Sequence, residues 1–307
     1  MSARELAVLL VMCAVWGFHY VVLKTGVGAL PPMLYAALRM SLVAALAAPF
    51  LRWRPGRMGL VLLAGLCFGA INYAFLFNGV KHATASAAAI AIELYVPFAT
   101  IMSIVFLNER VGWRRTLGIA LAFVGVAIVA LTRDQSAEAR IGLGVMLVAG
   151  CALTESFGAI LVKRISGFRP HELLAWFALV GAVFLWPATL ALEPEALEAL
   201  ARADKAVAFG AVAYSAIAAS IFGHTAYYWL LQRLPVSVVA PSTLLTTLLG
   251  IAFSMVFLGE RLTTPFLIGA LTALAGVAVV LFRSAQKGAP VETGGAEAIG
   301  LPAKEKP

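Results

Sequence analysis

Apolar and polar positions alternate along this chain in blocks, with long apolar runs joined by short polar links. A run of about 20 apolar residues is the length of a helix that crosses a bilayer. Ten such spans are predicted, at about 5–24, 32–51, 58–78, 84–107, 113–131, 141–162, 172–192, 207–231, 236–258 and 264–282. The link at 193–206 is acidic (Glu193, Glu195, Glu198, Asp204) and reads as a surface helix. Residues 286–307 are rich in Gly, Ala, Pro and charge, which predicts a disordered cytoplasmic tail. The ~10-residue alternating segments of an outer-membrane barrel are not found.

The pattern repeats. A shift of 151 lays 84–130 on 235–281. Ser86 then falls on Ser237, Ser103 on Ser254, Glu109-Arg110 on Glu260-Arg261, Gly118 on Gly269 and Gly125 on Gly276. A shift of 138 lays Pro32 on Pro170 and Pro49 on Pro187, and a shift of 139 lays Lys24 on Lys163. The chain therefore reads as an all-α membrane protein of ten transmembrane helices in two inverted five-helix repeats, 1–135 and 138–285. Five is odd, so the halves enter the membrane in opposite directions. Inverted repeats of this kind place a solute site near the midplane, where the halves meet.

Composition agrees, with 62% hydrophobic residues, 12% charged and a mean hydropathy of +0.94. The net charge of +8 does not point to nucleic acid, because Lys and Arg cluster in links on one side. About 15 lie on the side of the N-terminus against 7 on the other, which predicts cytoplasmic N- and C-termini in a multi-pass protein of the cytoplasmic (inner) membrane. The N-terminal run shows no small-residue cleavage site and reads as a retained first span. Cys13, Cys67 and Cys151 lie inside apolar runs and read as small buried hydrophobes, with no metal site.

An ionisable group inside a span costs at least ~2.5–3.5 kcal/mol on insertion scales, so each needs a compensating role. Glu93 lies mid-span, four residues before Pro97, whose ring opposes the carbonyl of residue 93. Its counterpart in the repeat is Leu244, so it breaks the symmetry. Glu155 falls opposite Trp16, where a carboxylate can meet an ammonium and an indole can stack on a cation or ring. His224 matches Tyr73, beside Asn72 and Tyr227; histidine can carry a proton or meet a carboxylate. His19 neighbours Trp16. These residues and Tyr95 form the candidate substrate-binding set. Arg39 is assigned a structural or gating role, as an ion pair with Glu93 or as an anchor for a substrate carboxylate. Pro97, Glu109, Arg110, Glu260 and Arg261 join it as structural or gating residues. Hydroxyls on the ninth span (Ser242, Thr243, Thr246, Thr247) read as a polar path or as packing contacts.

Three features resemble one family. They are the opening LLVMCAVWGFHYVVLKTG, the Pro31-Pro32 pair followed by Arg39, and the FLNER and FLGER segments, each followed by a span with G-x6-G. In that order they resemble the drug/metabolite transporter superfamily, specifically the EamA-type exporters, with the aromatic amino acid branch among the similar ones. The resemblance implies a secondary transporter that exports small metabolites, most directly amino acids, by alternating access around a central cavity. Spans one, three, four, six, eight and nine are expected to line it. Titration of Glu93 or Glu155 during the cycle would give proton coupling, and without it the protein is a facilitator. No cofactor is implied, and the partners are the solute and the lipid bilayer, with a monomer or weak homodimer through the glycine faces of spans five and ten. Motifs for nucleotide hydrolysis, zinc proteolysis or a nucleophile elbow are absent from the sequence. Two other readings stay open: a nucleotide-sugar or sugar-phosphate exchanger, which calls for clustered cavity cations, and an intramembrane enzyme using Glu and His as acid and base.

Overall fold

The computed structural model describes residues 1–107, 111–132, 141–231, 233–234, 239 and 241–286. Glu109, Arg110 and nearly all of the predicted tail lie outside the described residues. Ten long apolar helices follow one another: α1 (Ala3–Ala29), α2 (Pro32–Phe50), α3 (Met58–His82), α4 (Ala85–Phe106), α5 (Trp113–Leu131), α6 (Ile141–Lys163), α7 (Pro170–Leu192), α8 (Lys205–Leu231), α9 (Ser242–Leu258) and α10 (Thr264–Gln286). Nine have the length and hydropathy to cross a membrane, and α9 is a shorter apolar helix. The short helix Ala196–Arg202 occupies the acidic link between α7 and α8. No strand occurs among the described residues.

Local chemistry sets the helix ends. Ser2 and Glu5 form a reciprocal capping box at the start of α1. Thr84 caps α4 by accepting from the Ala87 amide, and Asp204 caps α8. Pro32 and Pro170 take the first helical position of α2 and α7, where a missing N–H costs nothing. Gly259 closes α9 at φ 67°, a left-handed conformation that suits glycine.

Helix pairing respects the two halves. α1 packs on α9, and its repeat counterpart α6 packs on α4; α2 packs on α7, and α5 on α10. Small residues allow these approaches, since lipid offers no hydrophobic drive for helices to associate. A Cβ at Gly17 would meet Leu249 Cβ at 2.9 Å and the Gly250 amide at 3.0 Å. A Cβ at Gly125 would run into the backbone of Ala273, and one at Gly276 into that of Ala122. The glycine faces of α5 and α10 are thus packed on each other within one chain. Large apolar side chains such as Leu131 (82% exposed) and Val256 (75% exposed) cover the outside, as a lipid-facing surface requires.

Two helices depart from α geometry at matching places. α3 is π-helical over Leu66–Ile71 and α8 over Tyr214–Phe222. The shift of 151 lays the first on 217–222. Single π turns inside α-helices occur often at functional sites, and they release carbonyls from the helical ladder. α4 also changes pitch: Ile92–Leu94 is a 3-10 turn immediately before the Pro97 segment. This is the expected response to a proline ring opposing the carbonyl of Glu93.

Candidate functional site

A cavity of about 470 Å³ lies between the halves. This is within the size range of small-molecule sites, roughly 300–1,000 Å³. Its walls come from α1 (Trp16, His19), α2 (Arg39, Met40), α3 (Phe68, Asn72, Tyr73, Leu76), α4 (Ile92), α6 (Cys151, Glu155), α7 (Leu174, Phe177) and α8 (Ala219, His224, Thr225). The lining continues through Val162, Pro170, His171 and Trp229. These stand beside Lys163, Arg169 and Arg233, so the cavity reaches the basic end of the bundle. There the Trp229 ring carries the Arg233 guanidinium at 4.1 Å and that of Arg4 at 5.5 Å.

The π turn of α8 organises one wall. Its released carbonyls take side-chain partners: Trp16 Nε1 of α1 donates to the Ala219 carbonyl at 2.9 Å, and His224 Nδ1, one turn further along α8, lies 2.8 Å from that of Ser220. Gly223 leaves room for the indole, because a Cβ there would collide with it. The Trp16 ring then packs at 5.6 Å from the His224 ring and 5.7 Å from Tyr227. His19 Nε2 pairs with Ser215 Oγ at 3.0 Å, and Tyr35 shares the same hydroxyl at 2.7 Å. Both histidines thus have partners of their own.

Arg39 is 3% exposed. Its Nη2 donates to Ser220 Oγ at 2.9 Å and to the Tyr73 hydroxyl at 3.2 Å, and its guanidinium carbon sits 4.4 Å from the Tyr73 ring centroid. Nε and Nη1 are buried without a hydrogen-bond partner. A buried donor left unmade costs about 1–3 kcal/mol. Also on the lining, Glu155 of α6 accepts from Asn72 Nδ2 at 3.5 Å. Among the described residues neither charge has an ion-pair partner.

Sequence and structure differ at several positions. The expected Arg39–Glu93 pair is not formed; Glu93 accepts instead from Thr247 of α9 at 2.6 Å and is buried in the α4–α9 seam, outside the cavity lining. The 3-10 turn ahead of Pro97 accounts for this, since it presents Ile92 to the cavity in place of Glu93. Tyr227 stands behind Trp16, and Tyr95 packs against the core; neither lines the cavity. Of the expected spans, α9 does not line the cavity and α2 and α7 do. α9 is drawn onto α1 by Gly17 and Gly250, its Thr247 hydroxyl is used on Glu93 of α4, and its Ser254 hydroxyl donates to the Gly250 carbonyl within α9. Trp16, His19, Asn72, Tyr73, Glu155 and His224 do line it. The contributions of α2 and α7 were missed because their apolar runs carry no periodic polar face. The one available sign was Arg39, a charge too deep for a loop.

The far end is closed. Lys24 Nζ donates to the carbonyls of Val80 (2.9 Å), Lys81 (3.2 Å) and Ala83 (2.5 Å), where α3 ends. Glu260 accepts from the amides of Ala85 (2.6 Å) and Ser86 (3.0 Å), where α4 starts. Glu193 takes the Met33 and Leu34 amides of α2, both at 3.0 Å. A cation at a helix C-terminus and an anion at an N-terminus also complement the helix dipole. Tyr35 and Phe77, fully buried with ring centroids 4.6 Å apart, fill the layer next to this seal. Glu260 thus caps a helix start, and Arg261 is exposed.

Ten apolar helices around a mid-bundle cavity closed at one end describe a multi-pass membrane protein built for solute movement. The chain belongs to the EamA-like transporter family, whose pattern matches residues 4–131 and 142–282, once in each half. It is 30% identical over 289 residues to a probable amino-acid metabolite efflux pump of Salmonella typhimurium, covering 92% of this chain and 96% of that one. A protein of the same description from Escherichia coli is also 30% identical, over 290 residues. A probable terminal-alkyne amino-acid exporter of Streptantibioticus cattleyicolor is 27% identical over 235 residues, covering 75% of this chain and 76% of that one. One solved crystal structure superposes with a TM-score of 0.62 at 18% identity, over 94% of this chain and all of the other, and shows a shared fold. Family and relatives together indicate a transporter and not an enzyme.

Proposed function

We propose that this protein exports small amphipathic metabolites, amino acids above all, across the cytoplasmic membrane by alternating access. One observation carries the reading: a cavity with both charged and aromatic walls reaches the basic end of the bundle and is closed at the other. By the distribution of Lys and Arg, the basic end is cytoplasmic. A site that loads from the cytoplasm suits efflux. The relatives described as amino-acid efflux pumps support the choice of solute. In this reading 1–135 and 138–285 rock against each other around the cavity, and the Glu260 and Glu193 contacts that join the two halves break to release solute outside. Glu93, which has no cation beside it among the described residues and lies away from the solute, is the candidate proton carrier.

The test is counterflow in proteoliposomes loaded with one unlabelled amino acid and supplied with its labelled form, across a panel. Uptake of at least one above protein-free liposomes is the expected result; none across the panel would sink the choice of solute. Loss of any response to an imposed pH gradient in Glu93→Gln, with counterflow retained, would support proton coupling. An unchanged response would remove Glu93 from that role. A nucleotide-sugar exchanger is less well supported, since Arg39 is the sole Lys or Arg among the described cavity-lining residues and a diphosphate calls for several.

A further inference from the structure

We infer that Arg39 and Glu155 act as a two-ended charge clamp for a zwitterion, with Arg39 taking the carboxylate and Glu155 the ammonium of one α-amino acid. The inference rests on reading the cavity as the solute site. It stands on four observations. Both side chains line the same cavity. Arg39 is buried and spends only Nη2 on the protein, leaving Nε and Nη1 without acceptors. Glu155 has one long hydrogen bond, from Asn72, and among the described residues no cation beside it. Among the described residues no ion pair joins the two. Their tethers, Tyr73 to Arg39 and Asn72 to Glu155, are consecutive residues just past the π turn of α3, so one backbone element sets the spacing of both charges.

Opposite charges in a low-dielectric site would be expected to collapse into an ion pair. Unpaired with each other, they form a site that is neutral overall but dipolar. A ligand bearing one carboxylate and one ammonium satisfies both ends and leaves no net charge. A bare amine leaves Arg39 buried and unmatched, and a bare acid does the same to Glu155. A buried charge robbed of its partner is strongly penalised, so the pair selects against both. Arg39 suits the carboxylate because the guanidinium offers donors in a planar fork. Its stacking on Tyr73 fixes the plane of that fork in advance. The ligand's own side chain would lie against Trp16, Phe68 and Phe177.

The experiment uses the purified full-length protein and three ligand sets built on leucine, methionine and phenylalanine. Each set holds the amino acid, the amine lacking its carboxylate and the acid lacking its amino group. Binding is read by calorimetry or ligand-induced thermal stabilisation, and counterflow in proteoliposomes is run alongside. Wild type is expected to bind at least one amino acid ten times or more tighter than its amine or acid. In Glu155→Gln the preference over the acid should fall to less than threefold, with the preference over the amine kept. In Arg39→Gln the pattern should invert. Should Arg39→Gln fail to fold, Arg39→Lys keeps the charge without the fork and should lose part of the preference over the amine. Weakening of all three ligands equally would assign these residues to structure and overturn the clamp. So would equal wild-type binding of amino acid, amine and acid. Counterflow without such preference would remove the clamp and leave amino-acid export standing. Preference without counterflow would remove export and leave the clamp. Binding of no amino acid would overturn both.

Discussion

The two ends of this bundle are built from the same kinds of groups and do different things with them. At the closed end, Lys24 of α1 and Glu260 after α9 grip the two sides of the break between α3 and α4. The cation takes the carbonyls where one helix stops, and the anion takes the amides where the next begins. At the basic end, Glu172 holds its own helix start through the Arg169 amide and meets Arg54 at 3.1 Å and Arg52 at 3.6 Å, which ties α7 to the end of α2. That contact braces the perimeter and leaves the cavity mouth between α6, α7 and α8 untouched. Sealing therefore depends on where a charge reaches, more than on how many charges an end carries. Glu260 crosses from the second half to the start of α4 in the first, while Lys24 holds the end of α3 from within the same half.

The contrast can be broken from the closed end first. Lys24→Met with Glu260→Gln should raise the labelling rate of Ser86→Cys by an impermeant maleimide tenfold or more, in a background without Cys13, Cys67 and Cys151. Each charge-assisted hydrogen bond is worth about 1.5–3 kcal/mol, and losing several shifts an opening equilibrium by at least that factor. An unchanged rate would mean that the seal lies in packing, at Tyr35 and Phe77. Next in size, Gly223→Ala places a methyl against the Trp16 indole and overpacks the cavity wall, a change costing about 1–3 kcal/mol. It should lower melting temperature by several degrees and weaken solute binding several-fold, with labelling at Ser86→Cys unaffected. Thr247→Val takes the hydrogen-bond donor from buried Glu93, at about 1–3 kcal/mol of stability. Its effect should appear in denaturation more than in solute affinity, because the seam lies outside the cavity. The smallest effect belongs to Arg233→Gln at the cavity mouth. A partly exposed cation–π contact is worth ~0.5–1 kcal/mol, so solute binding should change less than threefold.

Much of this organisation was legible in the sequence. Apolar run length gave the ten helices to within a few residues at most boundaries, and proline and glycine marked several ends. The cavity was half legible. Trp16, Glu155, Tyr73 and His224 could be found because the repeat brings them opposite one another. Glu93 misled, because a charge in an apolar run shows that a partner is needed without showing which helix supplies it. The 3-10 turn that carries it into the α9 seam depends on how Pro97 strains one turn of backbone, which residue spacing at 3.6 per turn does not capture. The π turns were invisible because no residue type marks them. The role of Lys24 was not legible, because it comes from its place facing the α3–α4 break, a matter of tertiary position alone.

The most direct test of the central claim, that the cavity loads from the basic, cytoplasmic end, is the sidedness of a cysteine placed at Leu174. In the background without native cysteines, Leu174→Cys should react with an impermeant maleimide in inside-out vesicles and be protected by a transported amino acid, while right-side-out vesicles label several-fold more slowly. Labelling confined to right-side-out vesicles would contradict the account, placing the mouth of the cavity outside the cell.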